Sequence, residues 1–462
     1  MTVLQHTLKA ITSREFSKMG KGRLKMNNKN STTEFIQAEE SESSPGVWQF
    51  SPLDQICLHM VLRGTWLFAG QLDADELKKG LMKLLSYYPH LAGRMKENSG
   101  ITFTDEGVPF TVVDQPDLCL EDLYRSDDFT NIKEMSTAIK PAKLKKGLDS
   151  PLSVKLTRIK DGSVLGVQCS HACMDGDSFY TMIYNWGRIC RNLEVTEPVL
   201  DQSQFPAPVE LSKEEAENAA RESGWVKMSW LFLFKMVPLY LSGTLTMRSR
   251  GYHIPAEVIE RLKQRISGET GISCTANVAL SALITKKCFE LYNHDEGALC
   301  SQVTVVNCRG RLAGLPHGFA GNASTTVVTP SFKAGLSMAD IAVIIDQALA
   351  PVRQEPSSKL QELLSISLNA MKHKLPYAPF DVPGMHAKKP RVAYINNFSK
   401  LPIYDLDFGS GKPQFAIPHD LLDQVVIWPA HPDKGGVDVY FSGMPAREIQ
   451  KMKIDRSFLQ DL

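Results

Sequence analysis

The chain has 462 residues, with 52 Lys and Arg against 51 Asp and Glu, for a net charge of +1. That balance argues against a nucleic-acid footprint, and a hydrophobic share of 43% is that of an ordinary globular protein. The length predicts two domains or one very large one. Nine cysteines at irregular spacing contain no CxxC pair, so reduced thiols in an intracellular compartment are expected rather than a disulfide framework.

At the N-terminus, seven Lys and Arg precede Thr33, with Glu15 the one acid among them. This composition is compatible with an organellar transit peptide and hence a plastid location. Val3-Leu4-Gln5-His6-Thr7-Leu8-Lys9-Ala10-Ile11 also looks like a first strand, and a cytoplasmic protein with this mature strand, followed by a flexible loop from Gly20 to Gly46, is favoured over a cleaved segment. Next, Asp73-x-x-Glu76 has the pattern of a helix start. Leu77, Leu81, Leu84 and Leu85 mark its apolar face, and Pro89 ends it. Leu152, Val154 and Leu156, the Asp161-Gly162 turn and Val164 to Val167 read as a hairpin. Phe179, Met182, Ile183 and Trp186 then fall at helical spacing.

The segment from Gly224 to Met247 is the most apolar, with Trp230-Leu231-Phe232-Leu233-Phe234 ahead of Lys235 and Pro238. Those two residues interrupt it, so a membrane-spanning helix is not expected. It reads either as an interdomain crossover or as a peripheral membrane contact through residues 228–241, with Lys227 and Lys235 toward the headgroups. The predicted division is an N-terminal domain of residues 1–222, a linker of 223–247 and a C-terminal domain of 248–462. In the latter, Pro255 opens a helix, a second follows with Ala276, Ala279, Leu280, Leu283 and Ile284, and Val303–Val306, Val425–Trp428 and Val437–Phe441 read as strands.

Between the hairpin and its following helix stands His171-Ala-Cys-Met-Asp175-Gly176. A histidine at a strand end can take up and return a proton near neutral pH. The carboxylate four residues on either fixes its tautomer or holds the loop. No third ligand completes a metal set, so no metal is expected. Cys173 carries no sign of activation, and neither Ser170 nor Ser178 lies in a G-x-S-x-G elbow. By itself the pattern is degenerate, and a structural histidine at a surface turn is the simplest account of it.

A second motif shifts that balance. Residues 405–413 read Asp-Leu-Asp407-Phe-Gly-Ser410-Gly-Lys-Pro, and with HxxxDG this resembles the BAHD family of acyl-CoA-dependent acyltransferases. The family's second motif is DFGWG, so Ser410 replaces a tryptophan. Further blocks follow in the family's order: Phe50 to Gln55, Tyr88 to Arg94, Asp201 to Ser203, Val306 to Arg311 and Gly318 to Ala323.

The resemblance implies two similar-sized mixed-sheet α/β domains joined by a crossover, with a channel between them and His171 at its centre. It implies no resident cofactor: acyl-CoA is a co-substrate, the second partner is a small-molecule acceptor, and a monomer is expected. His171 would be the general base. Asp175 would be architectural, paired with Arg309. Asn396, in the place of a family threonine, is either an oxyanion donor or a local turn residue. Asp407 would support structure, and Ser273, Thr275 and Asn277 match a block lining the CoA tunnel, though Thr275 also suits a helix cap. The implied product is an ester of a specialised metabolite, pigment or lipid-like alcohol. An amide from an amine acceptor and a non-catalytic relative that keeps the fold stand as alternatives. Peptide-synthetase condensation domains typically carry a second histidine where this chain has Ser170.

Overall fold

The computed structural model describes residues 31–39, 46–96, 99–124, 132, 134–201, 203, 208–228, 247–311, 315–378, 389–418 and 424–454. The proposed first strand at Val3–Ile11 and the apolar run from Trp230 to Leu241 lie outside them.

In the first half, five strands pair in the order β1-β3-β4-β5-β2: β1 (Ser31–Ile36), β2 (Val61–Phe68), β3 (Val108–Gln115), β4 (Leu152–Ile159) and β5 (Gly162–Ser170). The β3/β4 pair is parallel and the others antiparallel. Helices α1 (Ala74–Tyr87) and α2 (Gly176–Cys190) bring Leu77, Leu81, Leu84, Phe179 and Trp186 into one core with Trp66 and Val167. As the sequence predicts, Asp73 caps α1 by accepting hydrogen bonds from the N–H groups of Asp75 and Glu76.

One expectation is corrected here. Residues 31–36 fall inside the segment read as a loop but form strand β1, with Ser31 opposite Val113 and Ile36 opposite Val108. All but Ile36 are exposed, so this edge strand has no apolar alternation by which to be recognised.

The second half builds a mixed sheet from β6 (Met247–Ile254), β7 (Leu299–Asn307), β8 (Ser324–Val328), β9 (Val392–Asn397), β11 (Gln424–Pro429) and β12 (Val437–Pro445). Their order is β6-β12-β11-β9-β7-β8, with β9 parallel to both neighbours. Helices α3 (Ala256–Thr270), α4 (Ala276–Leu291) and α5 (Met338–Gln354) cover one face. On the other face, Val426, Trp428 and Tyr440 join the core of the first half.

Strand β10 (Phe415–Ile417) crosses the predicted domain division at 222/248. It belongs to the C-terminal half but pairs antiparallel with Leu67 to Thr65 of β2, becoming the sixth strand of the first sheet. The Trp428 indole N–H donates to the Ala416 carbonyl at 3.1 Å, tying this borrowed strand to the second sheet. No described helix is long and apolar enough to cross a membrane.

Candidate active site

His171 follows the last residue of β5, and its backbone N–H donates to the Met60 carbonyl at 3.0 Å. The half-buried ring lies 3.1 Å from Asn322 through Nδ1 and Oδ1. The Asn322 amide is fixed by its other end, where Nδ2 donates to Asp54 Oδ1 at 2.6 Å and to the His171 carbonyl at 2.9 Å. Both partners can only accept, so Oδ1 must face the imidazole. His171 Nδ1 therefore carries the hydrogen, and Nε2 keeps its lone pair. Burial lowers the ring pKa below the ordinary histidine value, against the opposing pull of its own backbone, Asp175, Asn322 and Asp54.

Asp54 is itself held. In the turn of helix at Pro52–Ile56, the Ser51 side chain accepts from the Asp54 N–H, while Asp54 Oδ2 accepts from the Ser51 N–H at 2.8 Å. This reciprocal box gives the Phe50 to Gln55 block a physical purpose. It anchors the carboxylate that orients Asn322.

Asp175 points away from this relay. As N-cap of α2, it accepts from the Ser178 N–H at 3.1 Å through Oδ1. Its Oδ2 accepts from Arg309 Nη1 at 2.8 Å, the Ala323 N–H at 2.9 Å and the Ser324 hydroxyl at 3.0 Å. Burial raises the carboxyl pKa, but the Arg309 guanidinium and these hydrogen bonds outweigh it and hold the group below the usual carboxylate range. Arg309 also donates to the carbonyls of Phe319 and Gly321, the Ser178 hydroxyl and Asn307 Oδ1. The pair clamps the start of α2, in the first half, to the strand-and-turn framework of the second.

The far end of the same helix is fastened by the second motif. Asp407 Oδ1 accepts from the N–H groups of Gly409 at 2.7 Å and Gly411 at 3.1 Å, and its other oxygen lies 3.5 Å from Arg191 at the C-cap of α2. Gly409 and Gly411 have φ of 99° and 97°, which only glycine adopts without strain. Phe408 packs edge-on against Trp186 of α2, with centroids 5.0 Å apart. Ser410 is exposed, so the absent tryptophan leaves no hole in the core. Asp407 thus fastens the C-terminal end of α2, whereas the turn carrying His171 leads into its N-terminal end.

Asn396 lies on β9, opposite Val426. Its neighbours Ala393 and Ile395 face the helix-covered core, while Val392 and Tyr394 pack on the other face with Val303 and Val328. Alternation puts Asn396 on this second face, toward the first half. Two residues on, the Phe398 ring lies so close to Gly176 that a Cβ there would come within 2.7 Å of it. The strand end carrying Asn396 therefore abuts the start of α2. Among the described residues, Asn396 makes no side-chain hydrogen bond. Its neighbour Asn397 donates to Asn277 Oδ1 at 2.7 Å, so Asn277 on α4 joins the same strand end. Thr275 caps α4 by accepting from the Val278 N–H, and it and Ser273 are exposed. Cys173 is fully buried in the apolar core of the first half.

A two-sheet fold with this histidine at its seam defines an acyltransferase-like protein. The chain matches the Transferase family over residues 29–459, and it belongs to that family, the BAHD acyltransferases. It is 24% identical over 387 residues to tryptamine hydroxycinnamoyltransferase 2 of Oryza sativa subsp. japonica, covering 82% of this chain and 85% of that one. It is 23% identical over 459 residues to the omega-hydroxypalmitate O-feruloyl transferase of Arabidopsis thaliana, covering 91% and 90%. Among solved structures, vinorine synthase superposes with a TM-score of 0.68 at 21% identity, covering 91% of this chain and 95% of that one. F. graminearum TRI101 complexed with ethyl coenzyme A gives 0.72 at 15%, covering 90% and 98%. These likenesses show the shared two-domain fold.

Proposed function

We propose that this chain transfers an acyl group from acyl-CoA to the hydroxyl of a small-molecule acceptor, with His171 as general base. The carrying observation is the Asn322 amide, whose fixed orientation leaves His171 Nε2 as a proton acceptor. In the reaction, Nε2 takes the proton from the acceptor hydroxyl as its oxygen attacks the thioester carbonyl. The C–O bond forms, and the tetrahedral alkoxide is met by the Asn396 side-chain amide. Collapse breaks the C–S bond, and the departing CoA sulfur takes the proton from Nε2. The base returns to its starting tautomer.

In this scheme Asp175 and Arg309 hold the framework, and Asp407 holds the far end of α2. Ser273, Thr275 and Asn277 line the path for CoA. The relatives' names include both O- and N-acyl transfer, and a neutral imidazole serves either nucleophile.

Release of CoA thiol, with mass spectrometry of the product, tests the scheme on a panel of alcohols and amines. His171→Ala is expected to lower turnover roughly 10²- to 10⁴-fold. Undiminished transfer by a folded His171→Ala protein removes the base assignment. Transfer confined to amines removes the hydroxyl acceptor.

A further inference from the structure

Two segments flank the strand end from which His171 emerges. On one side, residues 56–60 follow the Pro52–Ile56 turn, and the Met60 carbonyl accepts from the His171 N–H. On the other, residues 145–151 lead into β4, and the Pro151 carbonyl accepts from the Ser170 N–H at 2.7 Å. The segments are tied together by one side-chain contact, Lys145 Nζ to His59 Nε2 at 2.7 Å. A lysine ammonium can only donate, so His59 accepts through Nε2 and is neutral.

This contact is chemically unusual. Among the described residues, no carboxylate lies within ion-pair distance of Lys145, although its ammonium is partly withdrawn from water. Lys140, Lys143 and Lys146 are exposed around it. The Asp149 carboxylate accepts from the Lys140 backbone N–H at 3.3 Å. The same two segments expose Ile56, Met60 and Leu148, the last 70% accessible. The rim beside His171 therefore combines an uncompensated cation, held in place by His59, with apolar surface.

We propose that Lys145, positioned by His59, binds an anionic group of a substrate, a carboxylate or a phosphate, whose apolar part lies along Ile56, Met60 and Leu148. The anion comes either from the acceptor or from the phosphates of CoA. Two N–H groups of Lys145 remain for it after the bond to His59. The proposal rests on the acyl-transfer reading only for the substrates' identity, because the site can be measured without turnover.

Dissociation constants are measured for four probes: CoA, pantetheine, a long-chain hydroxy fatty acid and its methyl ester. Each is titrated against the parent, Lys145→Gln and Lys145→Arg at low ionic strength. Lys145→Gln is expected to weaken one anionic probe about tenfold or more, the weight of a charge-assisted hydrogen bond. Its uncharged counterpart should be unaffected, and Lys145→Arg should retain most of the affinity. A loss confined to CoA identifies the donor's phosphates; one confined to the fatty acid identifies an acceptor carboxylate. His59→Leu should reproduce part of the same loss. If Lys145→Gln binds both anionic probes as the parent does, or the parent prefers neither anion over its neutral counterpart, the proposal is overturned. Failure of the acyl-transfer reading shows separately, as absent CoA thiol release with intact anion binding.

Discussion

Two histidines in the first half, His171 half-buried and His90 fully buried, show what partners do for an imidazole. His171 has Nδ1 against an amide whose orientation is dictated by Asp54, and that amide lies beside the clamp of Asp175 and Arg309. His90 is fully buried, and among the described residues neither ring nitrogen has a hydrogen-bond partner. It stacks on Trp48 with centroids 4.6 Å apart and planes 21° from parallel. Burial lowers both rings' pKa values, that of His90 to about 3. The difference is specification: His171 has one defined tautomer and a free lone pair aimed by its neighbours, whereas His90 is used as a flat aromatic filler. Burial alone does not set an imidazole's tautomer.

The largest effect is expected where the framework around His171 is broken. Arg309→Ala leaves Asp175 buried without its cation, so a loss of about 3–5 kcal/mol in urea unfolding is expected. A loss below about 1 kcal/mol contradicts the clamp. Replacing both residues by apolar side chains of similar size should recover much of the stability.

Next is Asn322→Leu, which frees the His171 tautomer. Loss of one orienting bond worth about 1.5–3 kcal/mol should lower kcat roughly 10- to 100-fold with little change in KM. An unchanged kcat means that Asn322 does not set the ring. The same substitution leaves Asp54 short of a partner, so unfolding should be measured alongside.

His90→Leu should do the opposite of a typical core change. Removing two unpaired ring nitrogens gains about 1–3 kcal/mol, and losing the Trp48 stack costs about 0.5–1.5, for a net gain of about 1 kcal/mol at neutral pH. The sign with pH follows from the lowered pKa. Between about pH 6.5 and 3 the unfolded chain binds a proton at this site that the folded chain does not, so His90 costs stability as pH falls. The advantage of His90→Leu should widen on acidification, and a constant difference from pH 7 to 5 contradicts this.

The smallest effect is a shift in the activity profile. With its pKa lowered, His171 remains unprotonated at pH values where a free imidazole has taken up a proton. The acid limb of kcat/KM should therefore fall below pH 6.5. Asn322→Leu removes a bond that raises the pKa and should move the limb lower still.

The sequence made some of this legible and not the rest. His171 and Asp175 announce themselves because their spacing is local, at the junction of an alternating strand and a helix-periodic segment. The α1 cap and the β4–β5 hairpin are readable for the same reason. Asn322 and Asp54 stand in blocks that resemble the family's, but their joint task depends on residues far apart in the chain. Only folding brings Asn322 Nδ2 to Asp54. Strand β1 leaves no readable pattern because Ser31-Thr32-Thr33-Glu34-Phe35 has exposed side chains throughout, and β10 is too short to leave a periodic signal. The polar rim at Lys145 and His59 is likewise invisible in sequence, since neither residue belongs to a periodic face.

Strand β10 also bears on how the chain reaches this state. Until Phe415 to Ile417 have been synthesised, β2 has Thr65 to Leu67 along an open edge, with unpaired backbone groups beside the apolar Trp66 and Leu67. The first sheet can collapse early on its local contacts with α1 and α2, but its closure waits for the last part of the chain. A ribosome-bound N-terminal half is therefore a sticky intermediate rather than a finished domain. The same strand that joins the two halves delays their completion.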